Sequence, residues 1–212
     1  MLKIDLVIGG VIGAAILFSI LGVATYERTG GSVTYEASFP AADRNVQGPA
    51  PPPSLVGNGA VEANVPVPHD NLTKLTLDVA VLGRGPRTQP VMIAIRITSP
   101  EGNNTDCTGG TMPAGQGPAT VPGKCEVALA AAPASVEIQA DSNETAMNEL
   151  AGKYNRTAGK GTWKVTVTVT GNPAPPVVPV PGQAYETYTV TITGKATTYA
   201  AAVMPKTPDF NR

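Results

Sequence analysis

Trp163-Lys-Val-Thr-Val-Thr-Val-Thr170 alternates with a period of two. Trp163, Val165, Val167 and Val169 fall on one side, and Lys164 and three threonines on the other. Successive side chains of a strand point to opposite faces, so this segment predicts a β-strand with one buried face. β-Branched residues favour that pleated surface.

The same pattern recurs on either side. Lys74–Leu82 (KLTLDVAVL) sets Leu75, Leu77, Val79 and Val81 against Thr76, Asp78 and Ala80. Val91–Thr98 (VMIAIRIT) sets Val91, Ile93, Ile95 and Ile97 against Met92, Ala94 and Arg96. Tyr188–Thr193 (YTVTIT) puts Tyr188, Val190 and Ile192 inside. Cys125–Leu129 and Val136–Ala140 are weaker strand candidates, and Ser32–Phe39 is a further short one. Several such strands separated by Gly/Pro turns imply an antiparallel β-sandwich. One helix interrupts over Thr145–Tyr154, with Met147, Leu150, Ala151 and Tyr154 at helical spacing and Asp141 or Ser142 as its cap. It is expected to plug an open end or edge of the sandwich.

Upstream, Leu6–Tyr26 (LVIGGVIGAAILFSILGVATY) is uncharged over 21 residues. As a helix it reaches about 31 Å, the thickness of a bilayer's hydrocarbon core. It is longer than the apolar run of a cleaved signal peptide, so a single N-terminal transmembrane helix is expected. Gly9 and Gly13 lie one turn apart, with Gly10 and Ala14 beside them. Such a small-residue face admits a second membrane helix at close range. The span holds no His, Asp, Glu, Lys or Arg, so it offers no haem ligand and no proton relay. The expected organisation is an anchor at 1–28, a Pro/Gly-rich spacer at 29–59, a sandwich at 60–203 and a tail at 204–212. The spacer contains Asn45–Pro53, read as stiff and polyproline-like. A second proline-rich arm, Asn172–Ala184, joins two of the clearest strands.

Cys107 and Cys125 are the two cysteines of the chain. The residues between them look loop-like, and a bridge closing that loop would stabilise by about 3 kcal/mol. Disulfides belong to oxidising compartments. Four N-x-S/T sequons begin at Asn71, Asn103, Asn143 and Asn155, all at expected turns or element ends. Anchor, bridge and sequons agree on one topology. The N-terminus is expected in the cytoplasm, the anchor in the plasma membrane and the body in the periplasm or outside the cell.

Ile97-Thr-Ser-Pro-Glu-Gly102, then Gly159-Lys-Gly-Thr-Trp163 opening a Val/Thr strand, then Tyr188-Thr-Val-Thr-Ile-Thr193 carry a resemblance. They resemble the turn-and-strand pattern of extracellular jelly-roll and immunoglobulin-like sandwiches, as in proprotein-convertase P-domains and archaeal surface-protein modules. The likeness covers about residues 70–195 and implies a jelly-roll or immunoglobulin-like topology. It implies nothing firm about activity.

Charged residues make up 15% of the chain and its net charge is -1. Nucleic-acid binding needs a basic stripe to neutralise phosphates, so no nucleic-acid partner is expected. Glu101, Asn103 and Asp106 offer oxygen ligands in one loop, but turn chemistry explains them equally well. His69-Asp70 is half of a nucleophilic triad without a serine elbow. Trp163 reads as core rather than as a binding platform. The expectation is therefore a protein with no catalytic, metal or cofactor site and no small-molecule substrate. Its partners would be the lipid bilayer and other transmembrane subunits. The role that fits is an accessory or scaffold subunit of a membrane assembly. The alternative is a free-standing, glycosylated cell-surface or adhesion protein.

Overall fold

The computed structural model describes residues 32–171 and 186–206. The membrane segment with Gly9, Gly10, Gly13 and Ala14, the arm Asn172–Ala184 and most of the tail lie outside the described residues. Among the described residues, no helix is long and apolar enough to cross a membrane. In chain order the elements are β1 (Val33–Ser38), β2 (Ala41–Gln47), β3 (Ser54–Val56), β4 (Gly59–Val67), β5 (Leu72–Arg84), β6 (Val91–Thr98), β7 (Asn104–Met112), β8 (Ala119–Ala128), β9 (Val136–Ala140), α1 (Asn143–Tyr154), β10 (Gly161–Thr170), β11 (Thr187–Tyr199) and β12 (Ala202–Pro205). They divide into two compact units.

The larger unit comprises Pro40–Ala132 and Asn155–Ala200. Its eight principal strands run in the order β2-β11-β5-β8 and then β7-β6-β10-β4, with β3 added to β11. Every pair is antiparallel: β2 with β11, β4 with β10, β5 with β8, β6 with β7. The first of the eight thus pairs with the last, the second with the second-last, and so inward. This is a long antiparallel hairpin rolled on itself, which is the jelly-roll topology. The immunoglobulin-like alternative has a different strand order.

The alternation read from sequence is what fills the interior. Leu75, Leu77, Val79 and Val81 of β5, Val91, Ile93, Ile95 and Ile97 of β6, Trp163, Val165, Val167 and Val169 of β10, and Tyr188, Val190 and Ile192 of β11 are all buried in one cluster. Full burial of each such aliphatic side chain is worth about 1.5–3 kcal/mol. The partners at alternate positions (Met92, Lys164) are exposed. The Trp163 indole nitrogen donates to the Gly159 carbonyl at 2.7 Å, so its one polar group is satisfied inside the core.

The expected spacer at 29–59 is corrected. Residues 41–47 pair with β11 over seven positions, and 54–56 extend the same strand's ladder. Between them the Gly48 amide donates to Ile192 O and Pro53 O accepts from Val190. The reason is tertiary: a polar segment such as AADRNVQ buries little besides Val46 and gains its structure from the backbone groups of β11.

The smaller unit comprises 32–39, Pro133–Tyr154 and the residues from Ala201 onward. Three strands in the order β12-β1-β9 form its sheet. Met204 and Pro205 are therefore part of a strand rather than of a loose tail. Tyr35, Ala140 and Ala146 make its core, with Val33, Ile138 and Val203 packed against them. Helix α1 packs on this sheet through β9 and β12, whereas the sequence placed it on the sandwich. Ser142 is its N-cap, accepting the Thr145 amide at 3.1 Å. The buried pair is Ala146 and Leu150, while Met147 and Ala151 point outward. The face is turned by about one residue from the expected one, with Ala146 in the same buried cluster as Tyr35 and Ala140. Tyr154 lies edge-on to Phe39, ring centroids 5.1 Å apart.

Candidate functional site

Three clusters in the larger unit gather the chemistry of this chain. The first is the rim where the two sheets meet. Cys107 and Cys125 are bonded to each other, as expected, with Cα atoms 4.7 Å apart. They sit on neighbouring strands, not at the ends of a long loop. The loop-like reading of the residues between them failed because β7 (NTDCTGGTM) lacks apolar alternation. The strand has only one ladder pair with β8, Thr108 opposite Lys124. The bridge therefore straps the sheets together where backbone pairing is thinnest. A Cβ on Gly123 would run into the Ile95 side chain and the Thr108 carbonyl, and one on Gly109 into the Ile93 backbone. Two glycines thus let the strands close in around the strap.

The second cluster went unnoticed in the sequence. Arg87 and Glu186 form an ion pair at 2.8 Å, with side chains 3% and 0% exposed. Arg87 Nε also donates to Pro113 O at 2.9 Å and Nη2 to Gly117 O at 2.7 Å. The Tyr188 hydroxyl donates to the other Glu186 oxygen at 2.5 Å. The Arg87 and Gly115 backbones pair with each other in both directions. One guanidinium thereby joins the β5–β6 loop, the β7–β8 loop and the start of β11. A signal existed: Glu186 shares the inward parity of Tyr188, Val190 and Ile192.

The third cluster lies at the loops 68–71, 99–103 and 155–160. Asp70 is held by Lys160, 3.0 Å from Nζ. Glu101 accepts the Gly159 amide at 2.7 Å. That N–H holds its carboxyl below the usual range. Asp106 instead accepts Arg96 Nε at 2.7 Å, and this hydrogen bond lowers its pKa. The two carboxylates of the candidate calcium loop thus each accept a hydrogen bond from a different partner. Among the described residues no group of three or more His, Cys, Asp or Glu is placed to hold a metal ion.

The four sequon asparagines fall in different settings. Asn71 is half-buried with φ 58°, and its Oδ1 accepts the Arg156 amide at 2.7 Å. Asn103 is exposed at the tip of the β6–β7 turn. Asn143 opens α1 and is exposed, and Asn155 is exposed just beyond its end.

The fold and these clusters define the class: an antiparallel jelly-roll β-sandwich cross-linked by one disulfide. Neither a protein-family profile nor a curated protein sequence matches the chain. Among solved structures it is similar to a chain of infectious bursal disease virus, Gx strain, at 10% identity and a TM-score of 0.24. That match covers 82% of this chain and 42% of the other. It is also similar to a chain of the nora virus structure, at 14% identity and a TM-score of 0.21, covering 84% of this chain and 64% of that one. This chain therefore spans less than two thirds of either. The topology rests on the strand order above.

Proposed function

We propose that this protein is a non-catalytic, single-pass accessory or scaffold subunit of a larger membrane assembly, with its β body outside the cytoplasm. The Cys107–Cys125 bridge carries the reading, because a paired structural disulfide belongs to an oxidising compartment. The uncharged run Leu6–Tyr26 supplies the anchor. The loss of the spacer strengthens the link to partners within the membrane. Strand β1 begins at Val33, so the chain between Arg28 and that strand is four residues. Four extended residues reach at most about 14 Å. The smaller unit is then tethered close to the bilayer surface, where other subunits of an assembly would meet it. The small-residue face of Gly9, Gly10, Gly13 and Ala14 offers the matching contact inside the bilayer.

The second reading is a free-standing, glycosylated surface or adhesion protein. Three exposed sequons favour it, and jelly rolls serve in coat and lectin domains. Extraction in mild detergent followed by mass spectrometry separates the two. A subunit elutes with fixed partners in constant ratio. A chain that elutes alone or as a homopolymer refutes the accessory role. Protease added to sealed cells or spheroplasts should digest the body, and its full protection would refute the topology.

A further inference from the structure

The four sequons are equivalent as sequence but not as chemistry. Transfer of a glycan to asparagine needs two groups free to engage the transferase: the acceptor amide and the hydroxyl at the second residue beyond it. At Asn71 both are occupied. Its Oδ1 holds the Arg156 amide at 2.7 Å, and the Thr73 hydroxyl donates to Thr197 O at 3.0 Å. Its own backbone amide donates to Arg156 O, and its carbonyl accepts from Tyr199. Asn71 is thereby a structural residue, one whose short polar side chain tolerates the left-handed backbone at φ 58° and ties two loops together.

At Asn143 one half of the signal is tied, and at Asn155 only the residue between the two working groups is held. The Thr145 hydroxyl of the Asn143 sequon is bonded to Ser142 within the helix cap. The centre of the Asn155 sequon, Arg156, is fixed by its amide to Asn71 and by its guanidinium to Ala131 O at 3.1 Å. Asn103 differs from Asn71 and Asn143. The turn below it is rigid: Ser99 N donates to Asn103 O at 2.8 Å, the Asn103 amide N–H donates to Ser99 Oγ at 3.2 Å, and Gly102 takes φ 88°. The Asn103 side chain is exposed at the tip, and among the described residues neither its carboxamide nor the Thr105 hydroxyl is engaged. The next two residues run extended into β7.

We infer that Asn103 is an N-glycan acceptor of the folded protein and that Asn71 is closed to modification. The donor class is an oligosaccharide linked to a lipid diphosphate. The Asn103 Nδ2 attacks the anomeric carbon, the bond from that carbon to the diphosphate oxygen breaks, and the lipid diphosphate leaves. The amide proton passes to a base of the transferase, and no redox change occurs. The inference rests on the extracytoplasmic reading for its occurrence in the cell, but the selectivity is a property of the fold alone.

The test separates these. The full chain in detergent micelles is incubated with lipid-linked oligosaccharide and a single-subunit oligosaccharyltransferase chosen because it modifies free peptides spanning both Asn71 and Asn103. Site occupancy is read by glycopeptide mass mapping. At Asn71 two hydrogen bonds must open first, so its occupancy should be about tenfold or more below that of Asn103. Equal occupancy, or an unmodified Asn103, overturns the inference. In parallel the intact mass of the chain from its own membranes is compared with that of Asn103→Gln. Loss of one glycan mass in the variant supports both the site and the compartment. Selective modification in the micelle with no glycan in the cell upholds the site and counts against the extracytoplasmic reading.

Discussion

Replacing Arg87 by Met should be the most damaging single change of a charged residue in the larger unit. The substitution removes three side-chain hydrogen bonds, to Glu186 Oε1, Pro113 O and Gly117 O. It takes the Arg87 charge away from the Glu186 carboxylate, which is 0% exposed. Taking away one partner of a buried ion pair costs about 3–5 kcal/mol. That is a large share of the roughly 5–15 kcal/mol by which a domain is stable. At about 2–4 °C per kcal/mol for a chain of this size, the midpoint should fall by roughly 6–20 °C. Trp163 is the chain's one tryptophan and is 1% exposed, so its fluorescence in urea reports unfolding of this unit. Amide exchange at Gly115, whose N–H donates to Arg87 O, should accelerate with the same substitution. The triple variant Arg87→Met, Glu186→Leu, Tyr188→Phe removes the charges together with the hydroxyl that serves them. It should recover most of the loss, because an apolar replacement of a whole buried pair is often neutral. An Arg87→Met protein within about 1 kcal/mol of the parent would refute the view that this cluster pins the three chain segments.

Cys107→Ala with Cys125→Ala should cost about 3 kcal/mol in urea unfolding, from loss of a cross-link over a separation of 18 residues; an unchanged midpoint would mean that the strap adds nothing to the rim. Acid should weaken the parent, since Glu101, Asp106 and Glu126 all have pKa values lowered by hydrogen bonds, to Gly159, Arg96 and Lys124 respectively. A depressed folded-state pKa gives stability that is present above the unfolded value and lost as pH falls through the folded one, here below about pH 4. Glu101→Gln should therefore flatten the acid limb of a stability-against-pH curve, and a slope identical to the parent's would sink that assignment. Gly9→Leu with Gly13→Leu should leave the chain inserted, since Leu is favourable in the bilayer core. It should reduce recovery of partner subunits in mild detergent, and undiminished recovery would move the surface-protein reading to first place.

The sequence by itself determined the strands that bury one face. Leu75 to Val81, Val91 to Ile97, Trp163 to Val169 and Tyr188 to Ile192 were legible because a period of two in apolar residues is a local property of the chain. The pairing of Cys107 with Cys125 was legible by elimination. What the sequence concealed depends on groups that carry no side-chain pattern. Strands β2, β3 and β7 are held by main-chain hydrogen bonds and by the partners opposite them, so AADRNVQ and NTDCTGGTM read as spacer and loop. The jelly-roll order could come only from the tertiary structure, since alternation gives each strand a face but no neighbour. The sequon at Asn71 is the same case in miniature. Three letters mark it as an acceptor, and only the fold brings Arg156 and Thr197 to its two working groups, 85 and 124 residues from the atoms they bind. Local pattern decides which surface a segment buries; contacts between distant segments decide which polar groups remain free to react.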